Sequence, residues 1–182
     1  MVDPARQRSE GVTDGAATPD GNDDAAASTA EVAADALALG YRQIARREHS
    51  VAELRTRLRR AGYPHAAVEE AIATLCGQGV LDDARYARLL VEDRRALDGW
   101  GVERMRARLE AAGIDAEQIE AALASFDSAS ELAAATALAR RRHPEPLSTD
   151  AERQRVFAML VRRGFDSEIA YAAVRAAGGA QR

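Results

Sequence analysis

Arginine is the residue type whose spacing invites a chemical reading. Arg55, Arg57, Arg59 and Arg60 fall in one segment, and Arg104, Arg106 and Arg108 fall in another. A shift of 51 residues lays Arg55 on Arg106 and Arg57 on Arg108. Arg94 and Arg95 precede the second set, and Arg140 to Arg142 with Arg162 and Arg163 add charge further along. The planar guanidinium fork suits carboxylates and phosphates, because it makes two parallel charge-assisted hydrogen bonds. The competing reading is a solvated face, in which these arginines pair with Glu53, Glu69, Glu70, Glu103 and Glu110 through helical neighbours. Recurrence at equivalent positions weighs toward a shared basic surface for an acidic partner or nucleic acid.

Other chemistry has little to stand on. His49, His65 and His143 are far apart, and none pairs with a cysteine at metal-ligand spacing. Cys76, the single cysteine, lies on an apolar helix and is expected in the core rather than as a nucleophile. Asp82-Asp83 reads as a helix cap plus a first-turn acid before it reads as a metal site. Gly77-x-Gly79 reads as a helix stop, not a phosphate cradle. No catalytic, metal or cofactor site is therefore expected. With aromatics at 4%, few rings are free to stack on single-stranded bases.

The arginines need helices to carry them, and the composition is that of helices. Ala, Arg, Leu and Glu dominate the 182 residues. The longest apolar runs are too short to cross a bilayer, and no signal-peptide pattern opens the chain, so no membrane association and a cytoplasmic location are expected. The net charge of −4 hides an asymmetry. Residues 1–40 carry two Arg and eight acids, whereas the remaining 142 carry 23 Arg, 21 acids and no lysine. Residues 1–30 are rich in Gly, Asp, Ala, Thr and Pro with almost no large apolar side chain, which predicts a disordered acidic tail.

Periodicity predicts a first helix over about 31–47, with Val32, Leu37, Tyr41 and Ile44 on one face; Gly40 inside it costs about 1 kcal/mol against Ala. Ser50-x-x-Glu53 is a capping box opening the second helix, with Leu54 and Leu58 on its stripe and Gly62 as its stop. Pro64 opens a third, carrying Val68, Ile72 and Leu75. Asp82 caps the next helix, which is expected to reach about Leu97 before Asp98-Gly99-Trp100-Gly101 breaks it. Leu81 and Tyr86 are placed to staple its start.

The 51-residue shift carries Leu54, Leu58, Gly62 and Tyr63 onto Met105, Leu109, Gly113 and Ile114, and again onto Val156, Leu160, Gly164 and Phe165. Pro64, Asp115 and Asp166 share one slot. Ser128-x-x-Glu131 and Thr149-x-x-Glu152 read as capping boxes of the last unit. The chain is predicted to be all-α: an elongated, curved array of three tandem three-helix repeats over 31–79, 80–127 and 128–178.

Taken in order, Ser50-x-x-Glu-Leu-Arg-x-x-Leu-x-x-x-Gly62-Tyr63, Gly79-Val-Leu-Asp-Asp-Ala-Arg-Tyr86-Ala, and Arg94 ahead of Gly99-Trp-Gly-x-x-Arg104-Met-x-x-x-Leu109-x-x-x-Gly113-Ile114 resemble the bacterial RecX regulatory proteins. The resemblance covers about 31–178 and is strongest over 41–126. It implies a non-enzymatic modulator that lies in the groove of the RecA–DNA filament. There it inhibits ATP hydrolysis, strand exchange and coprotease activity and limits filament extension, acting in recombination, repair and the SOS response. The partner it implies is the RecA filament, with weak DNA binding beside it and a monomeric state expected. Arg55, Arg57, Arg94, Arg104, Arg106 and Arg108 are expected to form the electrostatic face, while Leu81, Tyr86 and Trp100 set the angle between units. The alternative is a helical protein that binds DNA directly and competes with RecA for strands.

Overall fold

The computed structural model describes residues 20–178, with side chains from residue 29. Among the described residues the chain forms only helices: α1 Asp20–Ile44, α2 Val51–Arg60, α3 His65–Gly77, α4 Asp83–Asp93, a π-helical turn Arg94–Asp98, α5 Val102–Ala111, α6 Ala116–Leu123, α7 Ser128–Arg142, α8 Asp150–Arg162 and α9 Ser167–Ala177. Of the tail expected at 1–30, residues 1–19 lie outside the described residues. Helix α1 opens at Asp20 rather than Glu31. Alanines 25–27 have the highest helix propensity of any residue, which favours carrying the helix back through them.

Three cores follow one another along the chain. Leu54, Leu58, Val68, Ile72 and Leu75 fill the first, between α1, α2 and α3. Tyr86, Val91, Met105, Leu109, Ile119 and Leu123 fill the second. Leu138, Val156, Leu160, Phe165 and Val174 fill the third. In each unit the first helix lies on the third (α1 on α3, α4 on α6, α7 on α9), and the second packs across them. Separate cores in tandem make an elongated array, because each short helical unit buries its own apolar face and meets only its neighbours. Gly40 has a positive role here: a Cβ on it would come within 2.7 Å of Leu75 Cδ1, so its bareness lets α1 approach α3.

Every second helix ends in the same way. Gly62, Gly113 and Gly164 have φ of 93°, 76° and 86°. The amide of Tyr63 reaches back to Leu58 O (3.4 Å), that of Ile114 to Leu109 O (3.1 Å) and that of Phe165 to Leu160 O (3.2 Å). These are Schellman closures, and the apolar residue after each glycine turns into the core.

Several local expectations are corrected. Cys76 is exposed. The buried stripe of α3 runs through Val68, Ile72 and Leu75, and residue 76 is turned about 100° beyond it. Val80 and Leu81 pack with the first core while Tyr86 belongs to the second, so the connection's apolar step closes unit one. Helix α4 stops at Asp93, and the turn to Asp98 widens into a π-helix closed by left-handed Gly99. The N-cap of α7 is Asp127, which accepts from Ser130 N at 2.8 Å; Glu131 points elsewhere. At Ser50 only half of the expected box forms: Ser50 Oγ accepts from Glu53 N at 3.0 Å, but the Glu53 carboxylate leaves the helix end. The box at Thr149 and Glu152 is complete.

Candidate partner-binding surface

The destinations of Glu53 and Glu131 define how the units are joined. At the first joint, Ser50 Oγ donates to Ala112 O at 2.6 Å, and Val51 N donates to Asp83 Oδ1 at 2.8 Å. Asp83 therefore caps α2 from the next unit, beyond its expected role at its own helix dipole. Arg108 donates to Glu53 Oε1 at 2.7 Å, Tyr86 Oη donates to the same oxygen at 3.2 Å, and Arg47 reaches Oε2 at 3.1 Å. Burial pushes the Glu53 carboxyl upward, but the hydrogen bonds from Arg108 and Arg47 outweigh it and hold it below its ordinary range.

The second joint repeats this plan with different side chains. Gly101 N donates to Arg163 O at 2.8 Å, the carbonyl equivalent to Ala112 O. Val102 N, equivalent to Val51 N, donates to Glu131 Oε2 at 3.1 Å. Glu131 also pairs with Arg95, whose guanidinium stands 4.7 Å from the Phe126 ring centroid and 5.6 Å from that of Phe165. At each joint a carboxylate from the following unit thus satisfies a first-turn amide that its own helix cannot. In unit three the carboxylate is local: Glu152 accepts from Ser148 N and Thr149 N, each at 3.0 Å, and so satisfies the amides at and just before the cap.

This geometry sorts the six arginines expected to face a partner. Arg55 pairs with Glu69 (2.9 Å) across α2 and α3, and Arg106 pairs with Glu120 at the equivalent place across α5 and α6. Their recurrence is thereby matched by a recurring ion pair within the unit. Arg108 holds the first joint. Arg94 pairs with Asp98 at 2.7 Å, and its guanidinium lies 5.2 Å from the Trp100 centroid. Arg104 sits 4.3 Å from the same ring and donates to Arg162 O at 3.0 Å, so Trp100 brings Arg94 and Arg104 together. Arg57 is exposed and has no ion pair or hydrogen bond from its side chain among the described residues.

Arg57 lies on an open cleft of about 780 Å³ where α1, α2 and the end of α5 meet, with Arg47, His49 and Arg60 also on its wall. His49 is 2% exposed, 3.6 Å from Glu53, and its Nδ1 has no hydrogen-bond partner. Burial, then the charge of Arg47, pushes its pKa below the ordinary value. Sequence reasoning did not anticipate Glu53, Asp83 and Glu131 as the residues that join the units. Two of the three sat inside patterns that read as ordinary local caps. Among the described residues no cluster of three His, Cys, Asp or Glu could hold a metal, and no helix is long and apolar enough to cross a membrane.

Comparison with known proteins places these units. The descriptions "RecX, first three-helix domain", "second" and "third" match residues 36–75, 82–123 and 129–174 in turn. Regulatory protein RecX of Xanthomonas campestris pv. campestris (strain B100) is 38% identical over 124 residues, covering 68% of this chain and 75% of that protein. The namesake from Mycobacterium ulcerans (strain Agy99) is 35% identical over 150 residues, covering 81% and 87%. A crystal structure of regulatory protein RecX superposes with a TM-score of 0.71 at 26% identity, covering 84% of this chain and 76% of that one. RecX from Lactobacillus salivarius, at 18% identity, shares the fold with a TM-score of 0.70. With all three units matched in order, the chain belongs to the RecX family of regulatory proteins.

Proposed function

We propose that this protein binds the RecA–DNA filament in the cytoplasm and restrains it, lowering RecA's ATP hydrolysis, strand exchange and filament extension without catalysing a reaction itself. The observation that carries the reading is the ordered match of all three units to the RecX regulators, on an array whose separate cores are held in line by paired joints. A row of linked units gains affinity by engaging successive subunits of an assembled polymer, because each contact after the first is intramolecular. Arg57 and Arg104 are exposed and have no carboxylate partner among the described residues, so they are assigned to the partner directly. Arg55, Arg94 and Arg106 hold surface pairs that a partner's carboxylate or phosphate can replace. Arg108 shapes the surface from the joint.

A second reading, direct competition for DNA, draws on the exposed arginines Arg57 and Arg60 side by side on the cleft. The deciding experiment titrates the protein into RecA hydrolysing ATP on single-stranded DNA, with bare-DNA binding measured at the same salt. Inhibition well below the concentration that occupies bare DNA supports filament recognition. Inhibition that tracks bare-DNA occupancy supports competition, and undiminished hydrolysis overturns both.

A further inference from the structure

The three units carry one surface slot in two chemistries. In unit one, Arg55 and Arg59 of α2 both bond Glu69 of α3, at 2.9 and 3.1 Å. The equivalent residues of unit two are Arg106, Glu110 and Glu120, and Arg106 pairs with Glu120. In unit three the same three positions are Phe157, Val161 and Tyr171. The register is fixed by the structure itself, since the left-handed glycines at 62, 113 and 164 stand at the same step of each unit. Units one and two close this slot with ion pairs, and unit three opens it as an apolar patch. Tyr171 is 62% exposed and Val161 43%, although both sit on helices whose other faces are well packed. Phe157 is only partly covered by the third core.

The rim of the patch is basic at one end. Arg175 follows Tyr171 by one helical turn and is exposed, with no ion pair or hydrogen bond from its side chain among the described residues; Arg162, next to Val161 in sequence, is likewise exposed and unpaired, and Glu168 stands at the other end, three residues before Tyr171. A patch this small falls far short of the roughly 800 Å² per partner of a stable protein–protein interface, so a second copy of this chain would gain little from it alone. Apolar side chains beside free arginines fit a protein segment that presents an apolar anchor next to carboxylates. An aliphatic valine and a half-covered phenylalanine offer nothing to phosphate.

We propose that Phe157, Val161 and Tyr171, with Arg175, form a docking surface on unit three for an acidic segment with an apolar anchor on the RecA subunit. This rests on the filament-binding reading above and assigns the direct protein contact to unit three.

The test uses the full chain and RecA filaments assembled on single-stranded DNA with a slowly hydrolysed ATP analogue, and reads co-sedimentation. The variants are Tyr171→Ser with Val161→Ser, which alters only exposed side chains, and Phe157→Arg with Tyr171→Glu, which restores the ion pair of unit two. Both are checked for helicity and thermal unfolding. At unchanged helicity, a loss of filament affinity of tenfold or more with unchanged bare-DNA binding is the expected result; the serine variant decides if the other fails to fold. Filament binding within twofold of the parent chain overturns the docking surface and leaves the filament reading standing. An equal loss on bare DNA overturns it in favour of nucleic-acid stacking at Tyr171. No filament binding by the parent chain overturns the filament reading, and the RecA assignment with it.

Discussion

Gly164 and Arg104 touch backbone to backbone: a Cβ on Gly164 would lie 2.4 Å from Arg104 N and 2.3 Å from Arg104 Cβ. The same step of unit two, Gly113, would bring a Cβ within 2.6 Å of Ala52 Cβ, whereas at Gly62 nothing lies within 4 Å. The glycine that ends each second helix therefore serves two purposes at 113 and 164 and one at 62.

This difference orders a substitution series. Gly62→Ala should lose about 1–2 kcal/mol, the strain of a left-handed alanine. Gly113→Ala and Gly164→Ala should lose more, Gly164→Ala the most, since rigid backbone blocks the added methyl there. Urea unfolding of the three variants measures this, and equal losses at all three positions would contradict close packing at the joints.

At the second joint, Glu131→Ala strands the Arg95 guanidinium, which is mostly buried and already has its pKa lowered by burial. Removing one member of a buried pair leaves an uncompensated charge, so a loss of about 3–5 kcal/mol is expected. Glu131→Gln should recover part of it by still accepting from Val102 N. Comparing the unfolding midpoints of the two variants separates the backbone bond from the ion pair.

Arg108 holds a joint and Arg57 is unpaired among the described residues, and two substitutions test whether the unpaired one meets the proposed partner. Arg108→Ala should destabilise by about 1 kcal/mol, near the low end because over a third of its side chain is in solvent and Arg47 still holds Glu53. Arg57→Ala should change stability by less than about 0.5 kcal/mol and yet weaken inhibition of RecA. An Arg57→Ala protein that inhibits as well as its parent would remove that residue from the contact.

His49 should make the first joint sensitive to acid. Its unfolded-state value is near 6.5 and burial lowers the folded one, with Arg47 and Arg57 adding to the shift and Glu53 opposing it. Between the two values the unfolded chain binds more protons, so stability rises with pH in that window and falls as acid is added below about pH 6.5. Unfolding measured at about pH 7.5 and 5.5 should show a drop that His49→Gln removes; the same pH slope in both proteins would exclude His49 as its source.

Much of this fold is legible in one dimension. The stripes of Leu54 and Leu58, Met105 and Leu109, Val156 and Leu160 mark the second helix of each of the three units, and the glycine after each stripe marks its stop. The family resemblance draws on the first two of these stripes together with the segments Gly79–Ala87 and Gly99–Gly101. Cys76 shows the limit at one residue's resolution: its neighbours are core, and a single step around the helix carries it into solvent.

The carboxylates were misread for a more general reason. Glu53 and Glu131 stand three residues after a serine, a pattern that reads as a local cap, because sequence reveals only near neighbours. Capping depends on which donor is closest once the chain has folded. At Thr149 the local box forms. At Ser50 and Ser128 a neighbouring unit supplies Arg108 or Arg95, whose positive guanidinium draws the carboxylate more strongly than an uncharged backbone amide does. The sequence by itself determined that the chain is helical, where each second helix stops and the threefold repeat, all of which depend on contacts within a few turns. Only the tertiary structure decided how the units join and which arginines remain free, because those outcomes depend on distances between residues 29 to 55 positions apart.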